Sequence, residues 1–130
     1  MTILYDKDRD YAEVILQKTA NYAEDLNNII TVFKSEKNDK IVGYGFENAS
    51  HTVFEFKDLT LQAKLAVLLK MARSHQGITQ EEAAERIHNI TLRHYQRLES
   101  GEENTSLSMI ESVMKAFPKV DFSRLLKKVG

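Results

Sequence analysis

Cysteine is absent from this 130-residue chain. A disulfide framework and catalysis by a thiolate are therefore excluded. The sequence also lacks any apolar run near the roughly 20 residues that a membrane-spanning helix requires. Its N-terminus lacks the charged and then apolar pattern of a secretion signal. These absences predict a cytoplasmic protein with no membrane segment.

Catalytic and metal-binding patterns are also missing. The four histidines are His51, His75, His88 and His94. No two of them have the spacing of a zinc site, and no thiolate can assist them. A proton-transfer role is conceivable for His94, which stands near Arg93 and Arg97, but no nucleophile is accompanied by a base. We therefore expect a binding protein, not an enzyme, and no metal or cofactor.

Charge is divided unevenly between the two halves of the chain. Residues 1–59 contain 7 Lys/Arg and 11 Asp/Glu, a net −4, whereas residues 60–130 contain 11 and 8, a net +3. The total of −1 hides this difference. An acidic module followed by a mildly basic one favours two separate roles, although scattered solvated charges can produce the same asymmetry.

The first half reads as a small antiparallel β structure. The predicted strands are residues 2–5, 11–18, 29–33 and 40–46, with charged turns at 6–10 and 35–39. Residues 19–26 are polar and predict a loop or one helical turn. Residues 51–56 alternate in polarity, so they either extend the sheet, offer an edge to a partner strand or only connect. Gly43 and Gly45 indicate strand irregularity or close packing.

Residues 77–101 predict two short helices joined by a tight corner. Thr79 can cap a helix that begins at Gln80, and Glu82 completes a capping box. The apolar stripe of this first helix is Ala83, Ala84 and Ile87. Thr91 can cap a second helix over residues 92–99, and Gly101 suits its left-handed C-terminal end.

The second of these helices has one inward and one outward face. Tyr95 and Leu98 share the inward face, which leaves Leu92, Arg93, Gln96 and Arg97 outside. Arginine can bind guanine and glutamine can bind adenine in the DNA major groove, each through two hydrogen bonds. The alternative is a pair of solvated amphipathic helices without a ligand.

The same stretch resembles the helix-turn-helix of the Xre/Cro and phage-repressor family. Residues 79–84, Thr-Gln-Glu-Glu-Ala-Ala, and 97–101, Arg-Leu-Glu-Ser-Gly, match the typical strings T-Q-E-E-L-A and R-I-E-x-G. The corner at residues 87–91 is one residue longer than the common form, which could alter the angle of the recognition helix. In that family an arginine at the place of Arg73 pairs with a glutamate at the place of Glu99.

Flanking patterns complete the bundle that the resemblance implies. Asp58 or Thr60 can cap a long amphipathic helix that leads into the central stretch. Ser106 caps another helix, which Pro118 stops. Asp121 is expected to cap a final short helix, whose inward residues are Phe122, Leu125, Leu126 and Val129. Five helices from about residue 60 to residue 128 are therefore expected.

The first half is similar to a small uncharacterised bacterial β-domain family. The matching places are Tyr5-Asp6, Ile29-Ile30, Ile41-Val42-Gly43 and Asn48-Ala49-Ser50, within residues 2–50. Members of that family often lie beside genes for RelE-like toxins and are suspected antitoxins. The resemblance therefore implies a toxin partner for residues 1–58.

Together these patterns predict an α+β protein. It has a small antiparallel β-rich module at residues 1–58 and a five-helix, lambda-repressor-like helix-turn-helix domain at residues 59–130. The implied function is a dimeric transcriptional repressor that binds double-stranded DNA at a palindromic operator, with recognition helices about 34 Å apart. The expected DNA-contacting residues are Gln80, Thr91, Leu92, Arg93, His94, Gln96, Arg97 and Ser100.

Three versions of this function remain open from the sequence. The most specific is a type II antitoxin that regulates its own operon and neutralises a RelE-like toxin. The second is a phage-type or metabolic repressor whose first module dimerises or senses a ligand. The third is a protein-interaction adaptor whose helix-turn-helix no longer binds DNA.

Overall fold

The computed structural model describes residues 1–88 and 90–125. Strands form the first third of the chain and helices the rest. The strands are β1 (Thr2–Asp6), β2 (Tyr11–Ile15), β3 (Asn21–Asp25), β4 (Ile30–Ser35) and β5 (Ile41–Phe46). The helices are α1 (Ala49–Glu55), α2 (Leu61–Gln76), α3 (Gln80–Arg86), α4 (Leu92–Glu99), α5 (Leu107–Ala116) and a 3₁₀ helix (Phe122–Leu125). This arrangement confirms the predicted α+β class.

The five strands form one antiparallel sheet in the order β1-β2-β5-β4-β3. Directly opposed residues share a face, and the row Ile3, Val14, Tyr44 and Val32 is buried. Because side chains alternate along a strand, this register places every second residue of the three inner strands in the core. The hairpin predicted from residues 2–18 and the pair predicted from residues 29–46 are both confirmed.

The expectation of a loop or helical turn at residues 19–26 was wrong. Residues Asn21–Asp25 form β3, whose backbone pairs with β4 from Asn21 opposite Ser35 to Asp25 opposite Thr31. All five residues of β3 are exposed. Because neither face of this strand is buried, its sequence carries no apolar alternation, and pairing with β4 decides its conformation.

The strand considered for residues 51–56 was also wrong, because Ala49–Glu55 is a helix. Its start is capped from a distant turn. The carbonyl of Asp10 accepts a hydrogen bond from the Ala49 amide at 2.8 Å, and the Asp10 carboxylate accepts one from the Ser50 hydroxyl at 2.6 Å. This cap lies about 40 positions away in sequence, so a local pattern does not reveal it.

Gly43 and Gly45 provide close packing, as predicted. A Cβ atom on Gly43 would lie 2.9 Å from the backbone oxygen of Val14, and one on Gly45 would lie 2.5 Å from the Tyr11 hydroxyl. The side chains of Ile15 and Tyr11 in β2 therefore lie over Gly43 and Gly45, where β5 has no side chain to oppose them.

The predicted ends of the helices are mostly confirmed. Thr60 accepts a hydrogen bond from the Ala63 amide at the start of α2, and Ser106 accepts one from Met109 at the start of α5. α2 ends at Gly77, which has a left-handed φ of 65°. The fifth predicted helix is seen as a 3₁₀ helix at Phe122–Leu125. Leu126 and Val129 lie outside the described residues.

One hydrophobic core runs from the sheet into the helices. β1 lies along α2, where the rings of Tyr5 and His75 meet edge to face at 6.1 Å between centroids. At the other end of β1, Met1 packs against Gly101, just after α4. The division into residues 1–58 and 59–130 remains a prediction, and the core extends across it. None of the described helices is both long and apolar enough to cross a membrane.

Candidate nucleic-acid interface

The first helix of the candidate interface begins at a capping box. The Thr79 hydroxyl accepts a hydrogen bond from the Glu82 amide at 3.1 Å, and the Thr79 amide donates to the Glu82 carboxylate at 3.0 Å. The hydrogen bond from the Thr79 backbone holds the pKa of Glu82 below its usual range. These bonds fix the start of α3, where Gln80 is the first helical residue.

The recognition helix α4 is positioned by two buried side chains. Tyr95 and Leu98 are 0% and 2% exposed and face α2 and α3. Thr91 caps the helix by accepting a hydrogen bond from the His94 amide at 3.1 Å, and Gly101 follows its end with a φ of 77°. The outward residues are Arg93, Gln96 and Arg97, which are exposed, and Leu92 and His94, which are half-buried.

A buried carboxylate joins α4 to α2. Glu99 is 1% exposed and receives two hydrogen bonds of 2.7 Å from the Arg73 guanidinium. Lys70, one helical turn before Arg73, places its ammonium group 3.3 Å from the same carboxylate. Arg73 also donates to the backbone oxygen of Ile78 at 3.1 Å, which fixes the turn between α2 and α3.

The pKa of Glu99 reflects these contacts. Burial alone raises it, but the hydrogen bonds from Arg73, the neighbouring Tyr95 hydroxyl and the charges of Arg73 and Lys70 outweigh burial and lower the pKa to about 2. The same hydrogen bonds raise the pKa of Arg73. The pair is therefore ionised at neutral pH, and each charge depends on the other.

The network continues to the outer face through two glutamines. The side-chain amide of Gln80 donates to the Glu99 carboxylate at 3.2 Å. The side-chain amide of Gln96 donates in turn to the side-chain oxygen of Gln80, also at 3.2 Å. A chain of hydrogen bonds that begins at a buried charge thus reaches the exposed side-chain amide of Gln96 and favours one orientation of it. Gln80, Leu92 and Gln96 also line one shallow groove beside the turn after α2.

Two other candidate residues have partners within the protein. The Arg97 Nε atom lies 2.9 Å from a carboxylate oxygen of Glu103, in the loop after α4. The Ser100 hydroxyl donates to the backbone oxygen of Arg97 at 2.9 Å. Sequence reasoning did not identify Glu103 or Lys70 as part of the site. Lys70 had a usable signal, because it lies three residues before Arg73 on the same helix face.

The exposed polar helix α4 is capped at both ends and packs against α3. Residues 69–125 match the helix-turn-helix family. The match extends from the second half of α2 to the 3₁₀ helix and supports a DNA-binding transcription regulator. Domains of this family are typically non-enzymatic. Searches of curated proteins and of solved structures returned no match to the chain.

The low pKa of Glu99 predicts acid sensitivity. Because the pKa is about 2 in the folded protein and 4.5 as the ordinary value, the carboxylate stabilises the fold fully above pH 4.5. That contribution is lost as the pH falls toward 2, and amounts to about 3 kcal/mol. Thermal melts between pH 6 and pH 2 measure it. The melting temperature of Glu99→Gln should fall less steeply with decreasing pH. It should still fall, because Asp10 also has a lowered pKa, which its hydrogen bonds produce against the effect of burial. Equal slopes for both proteins would contradict this assignment.

Arg73→Met is expected to destabilise the helical region. It leaves the Glu99 carboxylate buried with Lys70 as its remaining cation, and breaking such a buried pair costs about 3–5 kcal/mol. Chemical denaturation followed by circular dichroism gives the loss. Arg93→Met removes an exposed guanidinium and is the control, with a change within about 0.5 kcal/mol. The double variant Arg73→Met/Glu99→Met should recover part of the lost unfolding free energy. An unchanged denaturation midpoint for Arg73→Met alone would count against a stabilising Arg73–Glu99 pair.

Proposed function

We propose that this protein is a dimeric transcriptional repressor that reads a palindromic operator with α4. The observation that carries this proposal is the hydrogen-bonded chain from Glu99 through Gln80 to Gln96. It presents an oriented amide on the exposed face of a helix. A fixed amide loses less conformational freedom when it binds adenine than a free one does, so it discriminates more sharply between bases.

Roles follow from where each side chain lies. Arg93, Gln96 and Arg97 would read base edges, and Leu92 would contact a thymine methyl group. Thr91 uses its oxygen to accept from the α4 backbone, which leaves its hydroxyl hydrogen to donate to a phosphate. Gln80 and Ser100 would hold the flanking backbone, and His94 would complete the contact set. Two such helices would enter major grooves about 34 Å apart, or a multiple of that distance.

Arg97 must change partners to read a base. Its side chain is 57% exposed and lies against Glu103, whose side chain is 23% exposed. An ion pair with one largely exposed partner is weak, on the order of 1 kcal/mol. DNA can therefore displace Glu103 from Arg97. At incorrect sites no guanine contact compensates for the lost ion pair, so Glu103 would oppose binding there.

The most specific form of this proposal is a type II antitoxin. The net charge of −4 on residues 1–59 suits a basic RelE-like ribonuclease, whose RNA-binding surface must be positive. The protein would neutralise that toxin through residues 1–58 and repress its own operon through α4.

A ligand-sensing repressor is the second candidate. A shallow groove of about 380 Å³ lies between β1 and α2. Its lining combines the apolar Ile3 and Ile78 with the cationic Lys70 and Arg73, a composition that suits a small organic anion. A ligand there would touch the two cations that hold Glu99, and so could alter the position of α4.

Arg97→Ala should weaken binding to the operator by roughly 1–3 kcal/mol and relax preference at one base position. The measurement is a gel shift on the protein's own upstream DNA beside a scrambled duplex. It is run at about 0.15 M salt, where attraction to phosphate alone is reduced. The control is Lys40→Ala, which removes one positive charge from the turn before β5. It should leave the affinity for both duplexes unchanged.

Each arm of that experiment has a distinct meaning. An equal loss on both duplexes would show that Arg97 contacts phosphate and not a base. If the wild-type protein does not distinguish the two duplexes, operator reading is wrong and the adaptor alternative gains support.

The antitoxin form predicts a tight complex with the product of a neighbouring short, basic, RelE-like reading frame. Co-expression of both full-length chains should restore growth that the toxin alone arrests. The purified complex should weaken as salt rises, because opposite charges hold it together. If the toxin still arrests growth, the antitoxin form fails while the repressor proposal stands.

A further inference from the structure

β3 is an open edge of the sheet. The opposite edge strand, β1, lies against α2, whereas β3 pairs with β4 on one side only, within the part of the chain that the structure describes. All five of its residues are exposed. An open edge offers a row of backbone amides and carbonyls to another strand, so it is either protected or used.

The backbone groups that point outward can be identified from the two ends of β3. The Leu26 amide donates to the Ile30 oxygen at 2.9 Å, and the Ala20 oxygen accepts from the Glu36 amide at 3.0 Å. Both residues therefore face β4. Hydrogen-bonding direction alternates along a strand, so Asn21, Ala23 and Asp25 direct their amides and carbonyls away from the sheet.

These three residues form a self-complementary edge. When a second β3 runs antiparallel with Ala23 on the two-fold axis, Ala23 meets Ala23 of the second copy. Asn21 then meets Asp25, and every outward amide and carbonyl of the three residues finds a partner. The Asn21 side-chain amide donates one hydrogen to the Thr19 backbone oxygen at 2.9 Å and can donate its other hydrogen to the Asp25 carboxylate of the second copy. The small Ala23 allows close approach at the axis.

Neighbouring registers are worse. A shift by one position toward the end of β3 puts Glu24 opposite Glu24, and like charges directly opposed are destabilising. Moving the axis one residue the other way places Tyr22 on it. Asp25 then no longer lies opposite any of the outward-facing residues Asn21, Ala23 and Asp25 of the second copy. The backbone pattern and the charges therefore select the same register.

We propose that two copies of this chain join β3 to β3 about Ala23 and form one ten-stranded sheet. The side chains beside the axis favour a second copy over a basic partner, because the Glu24 carboxylate already receives two bonds of 3.2 Å from Lys34. Next to the strand, the exposed Leu26 meets the exposed Ala20 of the other copy. An isologous interface of this kind closes after two subunits.

This interface deepens the proposed repressor function, since it supplies the dimer that a palindromic operator requires. It leaves both helix-turn-helix regions accessible, because β1 and α2 lie at the opposite side of the sheet from β3. The dimer itself does not depend on DNA, so it is measured without DNA.

The first test introduces a single thiol into a chain that has none. In Ala23→Cys the two Cα atoms would be about 5.5 Å apart across a hydrogen-bonded antiparallel pair, which is within the range of a disulfide. Mild oxidation of micromolar protein should yield a covalent dimer. Thr31→Cys, one strand inward on the same face, is the control and should react at least about tenfold more slowly, because its thiols gain no raised effective concentration.

The second test places a charge on the axis. Ala23→Lys brings two ammonium groups together and should convert the sedimenting species from dimer to monomer, while Thr31→Lys leaves the dimer intact. Circular dichroism of each variant checks folding, and if Ala23→Lys does not fold, the thiol test decides. A wild-type protein that is monomeric at all concentrations would overturn the interface, as would equal cross-linking of the two cysteine variants.

Failure of this inference is separable from failure of the repressor function. Dimerisation through Ala23 without operator binding would overturn the function and leave the interface standing. Operator binding by a protein that does not cross-link at Ala23 would do the reverse.

Discussion

The buried carboxylate of Glu99 is the interaction on which the rest of the helical region depends. An ionised group that is 1% exposed is unstable in a protein interior unless cations and donors surround it. Here they come from two other helices: Arg73 and Lys70 from α2 and Gln80 from α3. One charge therefore fixes three helices relative to one another. Through Gln80 it also orients Gln96, so the requirement to neutralise a buried charge and the requirement to present a base-reading amide are met by the same bonds.

The sheet is connected to this network through α2. The helix that supplies Lys70 and Arg73 is also the helix along which β1 lies, and Met1 packs against Gly101 at the end of the recognition helix. A ligand or partner bound at β1 would therefore lie beside the helix that supplies the cations around Glu99. Because β1 and α4 both pack against α2, this helix provides a physical route from the first half of the chain to α4.

Sequence reasoning succeeded where the determining contacts are local. Thr79 and Thr91 bond to amides three residues later, and Gly101 adopts a backbone angle that its own lack of a side chain permits. Because such bonds follow short, fixed spacings, the starts of α3 and α4 and the end of α4 were predicted to the residue. The end of α3 was not, since this helix stops at Arg86, before the Ile87 of the predicted stripe. The strands with one buried face were found for the same reason. β3 has no buried face, so it left no periodic signal. Residues 51–56 show a strand-like alternation although they lie largely in α1, whose cap comes from the distant Asp10, so both segments were misread.

By itself, then, the sequence determined the α+β class, the hairpins, the capped helices of the helix-turn-helix and the residues on its outer face. Those features follow from spacings of two, three and four residues. Only the tertiary structure decided that Lys70 joins Arg73 at Glu99, that Gln80 orients Gln96, that Glu103 faces Arg97, and that β3 ends the sheet with an open edge. Each of these joins residues from different elements, and the distance between them depends on how the elements pack, because no local spacing encodes the position of one helix or strand beside another.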